Sequence, residues 1–358
     1  MDHATARPLT PSVQKLVDRF RAREPQALAR CITRVENQAA GFEDLLHELH
    51  EGVGRARRIG LTGPPGAGKS TLTAALARLL RDGGETVGII AVDPSSPFTG
   101  GALLGDRVRM DDLATEPGIF IRSMASRGSR GGLATTSREA ADLMDAFGFD
   151  VILLETVGVG QSELEVATNA DTTVVVLVPE SGDGIQAMKA GLMEVADLFV
   201  INKADRPGAD RLKKEIEVVQ AIRAGNPIVA APARHGVDLS AIAGQETNAE
   251  PLPAPDGAGW EPPVLKCAAS LGEGIEELAI QVEGHFEWLR LSGSLSGRRH
   301  RAALEHAHRV LERSVQRRAS AVWQEWVAGE GAEPEADAES PYAIARRLAS
   351  RLGASADG

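Results

Sequence analysis

The sequence predicts a doubly wound α/β domain built on a mainly parallel sheet, with helical extensions at both ends. Three observations lead there. Between about residues 56 and 285, six apolar runs alternate with helical stretches: TVGIIAVD (86–93), GIFIRS (118–123), DVILLET (150–156), TTVVVLV (172–178), LFVINK (198–203) and VLKCAA (264–269). These runs lack polar alternation, as strands covered on both faces do. The stretch GPPGAGKST (63–71) falls between a further strand, RRIGLT (57–62), and an amphipathic helix closed by Gly83 and Gly84. At both chain ends the apolar spacing is helical.

The elements follow in order. Residues 1–55 form an N-terminal helical extension, with Leu16, Val17 and Phe20, then Leu28, Ile32 and Val35, at helical spacing. Residues 56–285 form the α/β domain, its strands joined by helical crossovers. Residues 286–358 form a C-terminal helical arm. It contains a long charged helix over 298–326, an acidic linker over 329–341 and a last helix over 342–352. The arm suits either self-association or client binding, and spacing alone does not separate the two. The segment 226–260 is rich in Pro, Gly and Ala and reads as a surface insertion without an assigned role.

Composition narrows the class. A chain of 358 residues, 43% hydrophobic, buries a sizeable core. Its net charge of -11 argues against nucleic acid or an anionic membrane as principal partner. The two cysteines, Cys31 and Cys267, are far apart and lack metal-type spacing, which points to a reducing compartment. The segment MDHATARPLT has no apolar core, and no run of about 18 apolar residues occurs. The expectation is a soluble, cytoplasmic protein.

The stretch 63–71 fits G-x-x-x-x-G-K-S, the phosphate-binding loop signature. Glycines let successive N–H groups turn inward on phosphate oxygens, and the following helix adds its positive N-terminus. Contacts to nucleotide are expected from Gly63, Gly66, Ala67, Gly68, Lys69, Ser70 and Thr71. Lys69 reaches the β- and γ-phosphates and Ser70 ligates Mg²⁺. Glu155 ends an apolar strand, where its carboxylate can hold Mg²⁺ directly or through water, and the Gly158 N–H can sense the γ-phosphate. Asp93, at a strand end, and Asp106, in a Gly-flanked stretch, are further Mg²⁺ candidates.

The run NKAD (202–205) fits N-K-x-D after an apolar strand. Asp205 can accept both guanine donors, N1–H and the N2 amine. Adenine offers no such pair, and polar mismatches of this kind support discrimination on the order of 10⁴. Asn202 would bond the base or tie the loops together, and Lys203 would pack its stem along the ring. In CAASLGEGI (267–275) the Ala269 N–H can reach guanine O6, with Ala268 where GTPases of this pattern carry serine. GTP and GDP are therefore the expected ligands.

Taken together, GPPGAGKST, VDPSSPFTGGALLGDRVRM, RSMASRGSRGGLA, ETVGVGQSE, GDGIQAMKAG and NKAD occur in the order seen in MeaB/ArgK-type P-loop GTPases, which this sequence resembles over about residues 25–325. The resemblance implies a P-loop GTPase domain of the SIMIBI class. It also implies a homodimer joined partly through C-terminal helices. The activity it implies is a G-protein chaperone that gates adenosylcobalamin loading and protection of an acyl-CoA mutase of the methylmalonyl-CoA mutase type. By position it places Mg²⁺ and switch residues at Asp93, Asp106 and Glu155, and a third switch at 182–189. There Gln186 and Lys189 lie about one helical turn apart. Lys69, Glu155 and Lys189 are the catalytic candidates, although Lys189 also reads as an ordinary solvated helix lysine.

Val159 follows Gly158 where a water-orienting glutamine would stand in a Ras-like enzyme, so slow intrinsic hydrolysis accelerated by a partner is expected. Three other classes share parts of the pattern. A small-molecule or transport-system kinase would release a phosphorylated product. A nickel-type metallochaperone GTPase needs a metal-loading cluster, and His306 and His308 face different directions on a helix. A MinD-like ATPase needs an early second lysine where Pro64 and Pro65 stand.

Overall fold

A computed structural model describes residues 9–94, 111–126, 132–156, 167–179, 191–223, 259–329 and 340–354. Among these residues seven strands form one parallel sheet: β1 (Arg57–Thr62), β2 (Val87–Pro94), β3 (Ile119–Ser126), β4 (Val151–Thr156), β5 (Thr172–Leu177), β6 (Leu198–Ile201) and β7 (Val264–Lys266). Their spatial order is β3-β2-β4-β1-β5-β6-β7, and every neighbouring pair is parallel. The chain builds outward to β3, returns to β4 beside β1, then crosses to β5 on the other side of β1. Strand order thus reverses at β1, and the crevice at such a switch point is where doubly wound sheets bind ligands.

The unbroken apolar runs are explained by two covered faces. Side chains alternate across a strand. Val174 and Val176 of β5 enter one core with Ile59, Leu61, Leu153 and Leu198, whereas Val175 and Leu177 enter another with Phe199 and Ile201. The first core is closed by α4 (Lys69–Asp82), through Leu72 and Leu76, and by α9 (Ile275–Leu291), through Leu278 and Val282. On the second face, α8 (Ala209–Arg223) covers β5 to β7 with Leu212, Ile216 and Val219. Two short helices, α5 (Asp111–Ala114) and α7 (Leu192–Val195), precede β3 and β6.

The N-terminal helices belong to this second face too. Helices α1 (Pro11–Arg21) and α2 (Pro25–Glu36) each start on a proline, a residue already set for the first helical position. With α3 (Phe42–Leu49) and α6 (Gly132–Phe147) they share one core with Ile90, Val92, Ile152 and Leu154 of the sheet. Phe20 and Phe147 meet edge to face at 5.2 Å, and the Arg122 guanidinium on β3 pairs with Glu36.

The chain forms two compact units, Met1–Arg299 and His300–Gly358. The first contains the sheet and its helices. The second contains most of α10 (Ser294–Ala328) and all of α11 (Pro341–Ala354). Within it Trp323 and Trp326 stand with ring centroids 5.2 Å apart, and Leu304, Leu311 and Val315 are exposed. No helix among the described residues is long and apolar enough to cross a membrane.

Candidate functional site

The loop after β1 is shaped by backbone geometry that only glycine adopts without strain. Gly63 has φ +136° and lies so close to β5 that a Cβ would overlap the Val176 carbonyl. Gly68 has φ +82°, and a Cβ there would meet the Asn202 amide nitrogen at 2.5 Å. Helix α4 begins directly after it, so Lys69 and Ser70 occupy the first turn, where N–H groups face outward with the positive end of the helix dipole. Ala67, Lys69 and Ser70 are buried, and Thr71 is exposed.

Lys69 is held over the loop. Its Nζ donates to the Gly63 carbonyl at 2.7 Å and to the Pro64 carbonyl at 3.0 Å. An ammonium in that place has lost most of its water, and its partners include two neutral carbonyls, which anionic phosphate oxygens outcompete. The Ser70 hydroxyl donates to Glu155 Oε1 at 2.5 Å. Glu155 is 3% exposed, and it reaches Ser70 because β4 and β1 are neighbours in register, Leu61 opposite Glu155. Behind this pair, Thr156 Oγ1 donates to Thr62 Oγ1 at 3.3 Å.

The second loop comes from the end of β6. Asn202, 2% exposed, ties the two loops together. Its Nδ2 donates to the Ala67 carbonyl at 2.9 Å and to the Gly68 carbonyl at 3.4 Å, while its Oδ1 accepts the Ala269 N–H at 3.1 Å. Of the two roles open to Asn202 from sequence, base contact or loop tie, this geometry is the tie. Ala269 differs from expectation for the same reason: its N–H, expected to reach guanine O6, is directed at Asn202. Lys203 has φ +57° and donates from Nζ to the Gly66 carbonyl at 2.8 Å, so its stem lies across the phosphate loop. Asp205 is exposed in the turn that follows, its carboxylate open to solvent.

Asp93 lies at the end of β2, with only its backbone described, whereas Asp106, Gly158, Val159, Gln186 and Lys189 lie outside the described residues. Among the described residues no group of three or more His, Cys, Asp or Glu side chains could hold a metal ion.

Sequence reasoning missed Cys267. Its buried thiol donates to the Gly274 carbonyl at 3.3 Å, its carbonyl accepts the Ala204 N–H at 2.9 Å, and burial pushes its pKa up to about 12. The thiol is thus an inert strut between the two halves of the base loop. Nothing in the spacing of two lone cysteines signals that role. Sequence also left Trp260 inside an insertion of no assigned role; its indole N–H donates to the Asp197 carbonyl at 2.7 Å.

A phosphate loop at the switch point of a parallel sheet, stapled to an N-K-x-D loop, defines a P-loop GTPase. The chain belongs to the family of the methylmalonyl Co-A mutase-associated GTPase MeaB, whose sequence model matches residues 28–323. It is 43% identical over 299 residues to a protein of Pyrococcus abyssi named as a GTPase, covering 84% of each chain. It is 34% identical over 309 residues to the methylmalonic aciduria type A homolog, mitochondrial, of Mus musculus, covering 81% of this chain and 68% of the other. The crystal structure of an LAO/AO transport system kinase superposes with a TM-score of 0.61 at 28% identity, over 97% of this chain and 100% of that one. As a member of this family the chain is a GTPase that binds GTP and GDP, and the family is mutase-associated by name.

Proposed function

We propose that this GTPase is a chaperone for an adenosylcobalamin-dependent acyl-CoA mutase, gating cofactor loading and protecting the loaded enzyme. The observation that carries the nucleotide half of this reading is the Asn202 staple, which sets the phosphate loop and the Asp205 turn at a fixed spacing suited to one guanine nucleotide. The mutase half is supported by the family's name and by the mouse relative's name.

Ser70 and Glu155 present hard oxygen donors side by side, the donor set Mg²⁺ takes when phosphates and waters complete its shell. Asp93 and Asp106 are the further candidates to contact it. When bound, Mg²⁺ neutralises charge developing on the phosphates. Lys69 exchanges its two carbonyl partners for β- and γ-phosphate oxygens. Gly158 senses the γ-phosphate, Lys189 is the further catalytic candidate, facing the nucleotide or the partner, and Asp205 selects the base. Val159 supplies no water-orienting group, so turnover is slow until the client remodels the site or supplies one. Functionally the chain divides at 1–55, 56–285 and 286–358, the last being an arm through which two copies associate. Two buried, unpaired cysteines, Cys31 and Cys267, suit a cytoplasmic location.

The test is phosphate release from GTP and from ATP by the purified chain, alone and with candidate adenosylcobalamin-dependent mutases. Slow GTP-specific hydrolysis, accelerated by one mutase, is the expected result. A preference for ATP, or a phosphorylated small molecule in place of free phosphate, refutes the reading in favour of a kinase.

A further inference from the structure

At the end of the sheet opposite the nucleotide loops, two consecutive arginines near the start of α10 grip the heads of the strands. Arg298 forms a fork on Asp197, Nη1 to Oδ2 at 2.8 Å and Nη2 to Oδ1 at 2.9 Å, and Nη1 also donates to the Asp171 carbonyl at 2.6 Å. Arg299 forms a second fork on Asp171, Nε to Oδ1 at 2.8 Å and Nη2 to Oδ2 at 2.7 Å. Asp171 Oδ2 accepts the Arg58 N–H of β1, and Asp197 Oδ2 accepts the Thr173 N–H of β5. Both aspartates are buried. Planar two-point pairing fixes orientation as well as distance.

Asp197 immediately precedes β6. That strand has four residues, all buried, and the next residue is Asn202, the staple between the nucleotide loops. At about 3.3 Å per residue the strand is a strut of about 13 Å with a polar fastening at each end. The Asp197 end is fixed from further sides. Trp260 donates to its carbonyl, and the buried His285 ring, tilted against Trp260 with centroids 4.8 Å apart, places Nε2 3.3 Å from Oδ1. Sliding β6 therefore breaks contacts at both ends together.

We propose that the Asp197–Arg298 fork is a positioning device for base recognition, coupling the root of α10 through β6 to the Asn202–Asp205 loop. The proposal rests on the reading that this loop selects guanine. A displacement of the α10 root is then felt at the nucleotide site, and a bound guanine nucleotide is felt at Trp260.

Equilibrium binding of GDP and ADP to variants of the full chain tests the coupling. Arg298→Ala weakens GDP binding about fivefold to tenfold and narrows the preference for GDP over ADP. Arg299→Ala removes the neighbouring fork and lowers thermal stability comparably, but keeps GDP affinity within about twofold. Arg298→Lys, which retains charge but not the fork, behaves like Arg298→Ala. In the unmutated chain the indole N–H resonance of Trp260, assigned with Trp260→Phe, shifts on saturation with GDP, a result independent of whether Arg298→Ala folds. Unmutated GDP affinity in folded Arg298→Ala overturns the coupling, as does a Trp260 resonance unmoved by GDP. The underlying base reading fails separately, if Asp205→Asn leaves guanine preference intact.

Discussion

The Ser70 hydroxyl lies 2.5 Å from Glu155 Oε1, joining the first turn of α4 to the last residues of β4. This contact crosses 85 residues of sequence and depends on β1 and β4 lying side by side. Glu155→Gln preserves the shape and a hydrogen bond to Ser70 but removes the negative charge. The expected result is a 10- to 100-fold rise, on the order seen when metal-site partners are lost, in the Mg²⁺ concentration needed for half-maximal GTP hydrolysis. GDP binding in the absence of Mg²⁺ changes little. An unaltered Mg²⁺ titration removes Glu155 from the metal site.

Gly68→Ala meets two obstacles at once. The residue has φ +82°, which costs an L-residue about 1–2 kcal/mol, and its new methyl group meets Asn202 Nδ2 at 2.5 Å. Gly84→Ala is the matched comparison, because Gly84 has φ +91° but nothing within 4 Å of a Cβ. Gly84→Ala loses about 1–2 kcal/mol in thermal unfolding, and Gly68→Ala loses at least as much. Only Gly68→Ala loses nucleotide affinity, by more than about tenfold, because its methyl group pushes the staple away. Equal GDP affinity in the two variants, measured by calorimetry, shows the staple to be dispensable.

Asp205→Asn tests base selection through exchanged hydrogen-bonding groups. Guanine offers N1–H and an amine to the carboxylate; xanthine replaces the amine with a carbonyl oxygen, which an amide N–H can meet while the amide oxygen still accepts N1–H. The variant is expected to lose GTP preference by a factor on the order of 10² or more and to gain hydrolysis of xanthosine triphosphate. Competition between the two nucleotides in a phosphate-release assay reads both effects. Retained GTP preference places base selection elsewhere.

How much of this was legible in the sequence depends on range. Gly63, Gly68, Lys69 and Ser70 act within one loop, so their spacing carried the geometry, and Glu155 was marked by the apolar strand it ends. Unbroken apolar runs such as Val174 to Leu177 announced a sheet covered on both faces. Helical spacing predicted the N-terminal helices but not their place, because the core that Phe20 and Ile32 share with α6 and the sheet is set by topology. The forks of Arg298 on Asp197 and Arg299 on Asp171 were invisible for the same reason. Arg299 meets Asp171 across 128 residues, and in sequence the arginines look like solvated helix charges and the aspartates like turn residues. Whether Asn202 faces the base or the loop was undecidable until Ala67 and Ala269 were placed beside it.

The buried His285 makes the fold lose stability as pH falls. Its Nδ1 pairs with Thr172 Oγ1 at 2.9 Å, and its pKa is lowered from 6.5 to about 4, chiefly by burial, with Arg298 lowering it further and Asp197 and Asp171 opposing. Above pH 6.5 the imidazole is neutral in both folded and unfolded chains, so its contribution to stability is fully present. As pH falls from 6.5 towards 4, the unfolded chain takes up a proton that the folded chain refuses. Stability is lost at about 1.4 kcal/mol per pH unit, roughly 3 kcal/mol in all. His285→Gln keeps a hydrogen bond to Thr172 but does not titrate. Unfolding the two chains in urea at pH 7, 6 and 5 should therefore show the advantage of the histidine chain shrinking as pH falls, by about 1 kcal/mol between pH 6 and 5. Parallel losses in both chains mean that the acid sensitivity arises from other groups, and that His285 takes up its proton at the same pH in the folded and unfolded chains.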